Sequence, residues 1–195
     1  MNTNVKEQIS IKTMALIAIF SAITCILAPF SLPIGPVPIS LTNLVIYFSL
    51  YVIGTWKGTA SYVIYLLIGL VGLPVFSGFT GGPGKLFGPT GGYLIGFIPL
   101  AIIAGIFIDK FYSKWYLCLV GMILGTAVCY AFGSAWLAYQ AHMTFWEAIA
   151  AGVSPFIIGD LIKMVLAALV APQIYKALVR ANVLSREQNQ KVSIS

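Results

Sequence analysis

The chain has 195 residues, is 59% apolar, and carries eleven lysines and arginines against five acids, a net charge of +6. So few charges leave too little polar surface to clothe a soluble core of this size, which excludes an ordinary soluble domain and predicts an integral membrane protein. The basic residues fall between apolar runs instead of clustering among aromatics, which sets nucleic acid aside as a partner.

Crossing a bilayer as a helix takes about 20 apolar residues, somewhat fewer where flanking residues anchor it. The first such run extends from about Thr13 to Ala28 and is stopped by Pro29 and the Pro33–Pro38 segment. It reads as a retained helix, because further spans follow it and no small-residue cleavage site precedes a polar domain. A second run covers Ile39 to Thr55, and a third, shorter one covers Thr59 to Leu73, ended by Pro74. The fourth spans Gly91 to Ile108, the fifth Trp115 to Tyr139 and the sixth Gly152 to Ala171. Beyond Pro172, the stretch Gln173 to Val183 reads as a separate basic amphipathic helix, followed by a polar tail. The predicted fold is an all-α membrane protein: one domain over residues 1–195, built as a bundle of six transmembrane helices.

Orientation follows from the positive charges, which favour the cytoplasmic side. With the N-terminus inside, the inner segments hold Lys6, Lys12, Lys57, Lys110, Lys114, Lys176, Arg180, Arg186 and Lys191, and the outer segments hold Lys85. Both termini are therefore expected in the cytoplasm. Trp56 and Trp115 fall at the inner boundary and Trp146 at the outer one, as interfacial anchors do.

The outer loop between helices 3 and 4, Leu73 to Thr90, is dense in glycine and proline and is expected to be a long loop without obvious secondary structure. Its Val75, Phe76, Phe79, Leu86 and Phe87 argue for a segment packed over the bundle and not a free tether. The stretch Gly78 to Lys85 superficially suggests a phosphate loop. It lacks the required glycine at Phe79 and hydroxyl at Leu86, and Pro83 removes a backbone donor. Catalysis finds no support either. His142 has no nucleophile at a telling spacing, and no paired-carboxylate or nucleophile-elbow pattern occurs. Cys25, Cys118 and Cys129 lie in apolar runs without metal-ligand spacing, so no metal or cofactor site is expected.

Asp160 and Lys163 lie inside the sixth run, one turn apart on the same helix face. Each costs roughly 2.5–3.5 kcal/mol at the centre of a membrane helix on insertion scales. Counting from Gly152 at 1.5 Å per residue, they should lie roughly 12 Å and 16 Å below the outer end. Either the two form an internal ion pair, or they face a pocket for a small polar anion, with the ammonium meeting a carboxylate and the carboxylate accepting N–H bonds. Asn43, near the outer end of helix 2, is an interhelical hydrogen-bonder or a pocket residue. Gly91 and Gly92 open helix 4 with backbone N–H groups suited to an anion, and Tyr93 adds an aromatic wall with a hydroxyl. Gln140, Tyr139 and Trp136 line the same space or simply anchor the outer end of helix 5. Ala15, Ala18 and Ala22 give helix 1 a small-residue face that permits close helix approach.

The block Gly88-Pro-Thr-Gly-Gly-Tyr-Leu-Ile-Gly-Phe97, preceded by Leu73-Pro-Val-Phe-Ser-Gly78 and Gly81-Gly82, resembles the signature of the BioY family. Ile34-Gly-Pro-Val-Pro-Ile39, the stretch holding Asn43, and Gly159-Asp160 with Lys163 fit the same family, so the resemblance spans roughly residues 13 to 172. Members are the biotin-specific substrate-binding (S) components of energy-coupling factor (ECF) transporters. The resemblance implies a subunit of a bacterial cytoplasmic membrane that captures biotin at the outer face. A transmembrane coupling protein and two ATP-binding cassette ATPases would then drive import. It further implies that Ala15, Ala18 and Ala22 dock the coupling protein. Biotin's ureido ring matches Asp160 and Asn43, and its carboxylate matches Lys163, Tyr93 and the glycine backbone. The rival reading is a stand-alone transporter or facilitator for a small organic anion, with Asp160 coupling protons.

Overall fold

In the computed structural model, which describes residues 11–33, 37–181 and 183–184, the first apolar run forms α1 (Ile11–Leu27), with Pro29 just beyond its end. Residues 34–36 of the proline-rich segment, the N-terminal lysine Lys6 and the tail with Arg186 and Lys191 lie outside the described residues. A two-stranded antiparallel ribbon follows, β1 (Ser31–Leu32) against β2 (Ile39–Ser40). The second helix therefore starts later than its hydrophobicity suggests: α2 is Thr42–Ile53, because Ile39 and Ser40 are spent on strand pairing. Gly54, at φ 83°, makes the turn into α3 (Thr55–Leu70), a conformation that side chains with a Cβ resist.

The glycine-rich segment is not structureless. It contains a short helix, α4 (Pro83–Leu86), and it folds back on the bundle. Gly82 donates to the Gly69 carbonyl at 2.7 Å and Gly78 to the Pro29 carbonyl at 3.0 Å, which ties this cover to the ends of α3 and α1. Val75, Phe76 and Leu86 are buried beneath it, with Phe76 edge-on to Tyr65 at 5.5 Å between ring centroids. Phe79 and Phe87 face outward.

Next come α5 (Gly91–Phe111) and α6 (Trp115–Ala141), joined by a tight turn and packed along their lengths. A capping box between Thr144 and Glu147 starts α7 (Phe145–Gly152), and α8 (Ile157–Arg180) completes the chain order. Two expectations are corrected here. The sixth run does not begin at Gly152, which ends α7; it begins at Ile157. Nor does Pro172 divide it, since α8 runs on through Gln173 to Arg180 as one helix. A proline within such a helix removes one N–H, a loss that neighbouring structure can absorb.

By length and composition α5, α6 and α8 are each able to cross a membrane, and α1 and α2 are shorter apolar helices. The buried residues of α8, among them Asp160, Met164, Ala167, Ala171 and Tyr175, follow helical spacing, and the opposite face exposes Ile158, Ile162, Leu166 and Leu169. Hydroxyls stitch the helices together. Tyr47 and Thr126 lie 2.7 Å apart, Tyr62 donates to the Leu94 carbonyl at 2.7 Å, and Asp109 accepts the Thr55 N–H at 3.1 Å at the start of α3.

Candidate functional site: a cavity beneath the glycine-rich cover

The first turns of α8 meet β2, α2, α5 and α6 around a cavity of about 580 Å³, part of it open to solvent. Asp160 lies in the opening turn of α8, about 4.5 Å along the axis from Ile157, with Lys163 about 9 Å along. That is shallower along its own helix than the sequence suggests, yet Asp160 is 8% exposed. Tyr130 of α6 and the β2 strand, through Ser40, cover what helix depth alone would not.

Lys163 Nζ donates to Asp160 Oδ1 at 2.9 Å and to the Ser40 carbonyl at 2.7 Å. Tyr130 donates its hydroxyl to Asp160 Oδ2 at 2.6 Å. Both charges are thus paired and hydrogen-bonded, which is the condition for holding them out of water. They are not saturated. An ammonium has three donors, and the third N–H of Lys163 has no partner among the described residues. Each carboxylate oxygen retains acceptor capacity.

Asn43 and Tyr93 line the same cavity. Asn43 is buried and its Oδ1 accepts the Leu44 N–H at 3.0 Å, which fixes the amide orientation. Its NH2 group makes no hydrogen bond among the described residues and borders the cavity. Tyr93 is held 3.0 Å from Ser134 Oγ, with Gly133 and Gly152 leaving room for its ring and hydroxyl. Phe97, Val37 and Phe156 supply apolar wall, and Ser77 and Thr90 border the space from the cover.

Gly91, Gly92, Trp136 and Gln140 stand elsewhere: they fasten the cover and do not line the cavity. A Cβ on Gly91 would collide with the Leu86 carbonyl oxygen, and one on Gly92 would collide with Trp136 Cβ. The Gly91 N–H is spent on the Gly88 carbonyl at 2.9 Å, so it is not offered to an anion. Trp136 Nε1 donates to the Gly88 carbonyl at 3.0 Å and Gln140 to the Phe87 carbonyl at 2.9 Å. Tyr139 is exposed at the end of α6. Lys85 sits in the cover, where desolvation draws its ammonium below the usual lysine range.

The sequence matches the family model described as BioY family over residues 1–180. The chain belongs to the BioY family. Among its relatives, the biotin transporter BioY of Thermotoga maritima is 42% identical over 159 residues, covering 81% of this chain and 92% of the relative. The probable biotin transporter BioY of Pyrococcus horikoshii is 37% identical over 163 residues, covering 84% and 96%. Among solved structures, the S-component for biotin from an ECF-type ABC transporter superposes with a TM-score of 0.79 at 30% identity, covering 90% of this chain and 95% of that one. The named relatives are transporters, not enzymes.

In this BioY protein the signature block at 88–97 does two jobs. Its first half anchors the cover, through Gly88 and Gly91, and its second half, with Tyr93, Leu94 and Phe97, forms cavity wall. Tyr130 is the site residue that sequence reasoning overlooked. A signal for it exists: Thr126, Tyr130 and Ser134 repeat every four residues along α6, and each bonds across to Tyr47, Asp160 or Tyr93. A hydroxyl stripe at helical spacing inside an apolar run marks a polar seam.

Proposed function

We propose that this chain is the biotin-capturing S-component of an ATP-driven ECF importer, with biotin bound in the cavity beside Asp160 and Lys163. The observation that carries the reading is a buried carboxylate–ammonium pair that borders a cavity and retains unspent donors and acceptors, together with the unpartnered amide of Asn43.

The pair's geometry refines how biotin would sit. Asp160 and Lys163 are 2.9 Å apart, too close to serve opposite ends of an extended ligand. A ureido group answers both at once: its N–H donates to the Asp160 carboxylate, and its carbonyl accepts from Lys163 and the Asn43 amide. The thiophane ring then lies against Phe97 and Phe156, and the carboxylate, a valerate chain away, falls toward Tyr93, Ser77 and Thr90 under the cover. A small-ligand site of this kind is mostly apolar, with a few orienting polar groups.

The six-span bundle would comprise α1, α2, α3, α5, α6 and α8, with both termini cytoplasmic and the cavity facing outward. Ala15, Ala18 and Ala22 are all exposed on the outside of α1, an open small-residue face on which a transmembrane coupling protein would dock with its two ATPases. Calorimetry of the purified full chain with biotin tests the reading. Tight binding is expected from the isolated subunit, reduced at least about 30-fold in Asp160→Asn and in Lys163→Ala, since a charge-assisted bond contributes about 2 kcal/mol or more. Absence of biotin binding by the unaltered chain rejects the function; full affinity in both variants rejects the site.

A further inference from the structure

At the end of the bundle away from the cavity, a second and larger concavity opens between the α5–α6 turn and the last turns of α8, about 1510 Å³ including its open mouth. Its floor is a ladder of tyrosines: Tyr51 meets Tyr112 edge-on at 5.7 Å, and Tyr112 meets Tyr175 at 5.6 Å. The Tyr112 hydroxyl is buried and makes no hydrogen bond among the described residues, and the Tyr51 hydroxyl is buried with only the Cys118 thiol, a weak partner, beside it. Tyr51 as a whole is 3% exposed. Buried hydroxyls without partners are uncommon, because each forfeits its bond to water.

Above this floor stand Lys176 and Arg180, four residues apart and thus on one face of α8. Both are exposed, and among the described residues neither has a carboxylate partner and no acidic residue lines the groove. Ala168, Leu169 and Pro172 continue one wall along α8 toward its apolar middle, where Leu166, Leu169 and Val170 are exposed. Trp115 stands at the rim, the depth at which indoles favour the headgroup layer.

We propose that this groove binds the phosphate of an anionic phospholipid, with Lys176 and Arg180 on the phosphate, the Tyr51 and Tyr112 hydroxyls as donors from below, and an acyl chain along the Leu169 wall. A free phosphate would use the same cations and hydroxyls but has nothing to place on the apolar wall, which favours a lipid as the source. Simple snorkelling of two basic side chains would explain their position but not the buried, poorly satisfied phenols beneath them. The site is independent of the biotin cavity, at the opposite end of α8.

Native mass spectrometry of the full chain in detergent tests this, using phosphatidylglycerol and phosphatidylcholine with identical acyl chains. Phosphatidylglycerol should be retained roughly tenfold better or more, from two basic groups acting near the headgroup. The double change Lys176→Gln with Arg180→Gln should abolish the preference. Tyr51→Phe with Tyr112→Phe, which alters no charge, should reduce phosphatidylglycerol retention several-fold while circular dichroism stays helical. Equal retention of the two lipids by the unaltered chain overturns the proposal, as does a preference that survives the Lys176/Arg180 change. If inorganic phosphate at the same concentration displaces phosphatidylglycerol, the occupant is a free anion and the lipid assignment fails.

Discussion

At the start of α8, Asp160 and Lys163 touch each other and are shielded by β2 and α6; at its end, Lys176 and Arg180 stand in the open over a tyrosine floor. One helix thus carries two kinds of charge. The first kind is held by three protein contacts, and losing one partner leaves the other largely buried without its counter-charge. The second kind has no carboxylate partner among the described residues and depends on what approaches from outside. Charge on an apolar helix is therefore not one signal, and its meaning is set by what packs around it.

The contrast is most exposed by the same substitution at both ends. Lys163→Ala leaves the Asp160 carboxylate buried without its cation and should cost about 3 kcal/mol of stability, whereas Lys176→Ala should change stability by less than about 0.5 kcal/mol. Denaturant unfolding in detergent measures both, and Asp160→Asn added to Lys163→Ala should recover part of the loss. Equal effects at the two positions would erase the distinction.

Rigidity of the cover separates the ends further. Gly91→Ala places a methyl against the Leu86 carbonyl, a backbone atom that moves only if α4 moves. A loss of about 2 kcal/mol is expected, with faster amide exchange confined to residues 83–94. A variant with unchanged exchange there would mean that the cover is not clamped as described.

Tyr130→Phe probes the pair more finely by deleting one bond to Asp160 while leaving both charges in place. Biotin affinity should fall about tenfold by calorimetry, in line with about 1.5 kcal/mol for a hydrogen bond to a charged group. Undiminished affinity would show that Lys163 alone orients the carboxylate.

The smallest effect concerns an exposed carboxylate that caps the start of α7. Glu147 accepts from the Thr144 backbone N–H and hydroxyl, bonds that hold its carboxyl below the usual range. A carboxyl depressed in the folded state stabilises the fold above its ordinary titration range, and that contribution fades as pH falls through the depressed value. Amide exchange at Thr144 should therefore quicken on acidification, and Glu147→Gln should flatten the dependence. A pH-independent Thr144 amide in the unaltered chain would show that the capping box does not depend on ionisation.

Much of this protein was legible in its residues taken singly. Apolar composition set the solvent, the runs Gly91 to Ile108 and Trp115 to Tyr139 set two helices nearly to their ends, and the rarity of charge singled out Asp160 and Lys163. The signature block at 88–97 identified the family. These features depend on local hydrophobicity and on the cost of burying charge, and a linear chain states both. Which residues close the cavity was decided only by packing. Tyr130 reaches Asp160 across thirty residues, Ser40 reaches Lys163 across a strand pairing, and Trp136 and Gln140 turn from the cavity to clasp the cover. Hydrogen-bond partners distant in sequence depend on the positions of other helices, and no local pattern encodes those. The continuity through Pro172 belongs to the same class, since surrounding helices carried α8 past a residue that would stop it alone; the start of α7 does not, because its Thr144–Glu147 capping box is a local pattern.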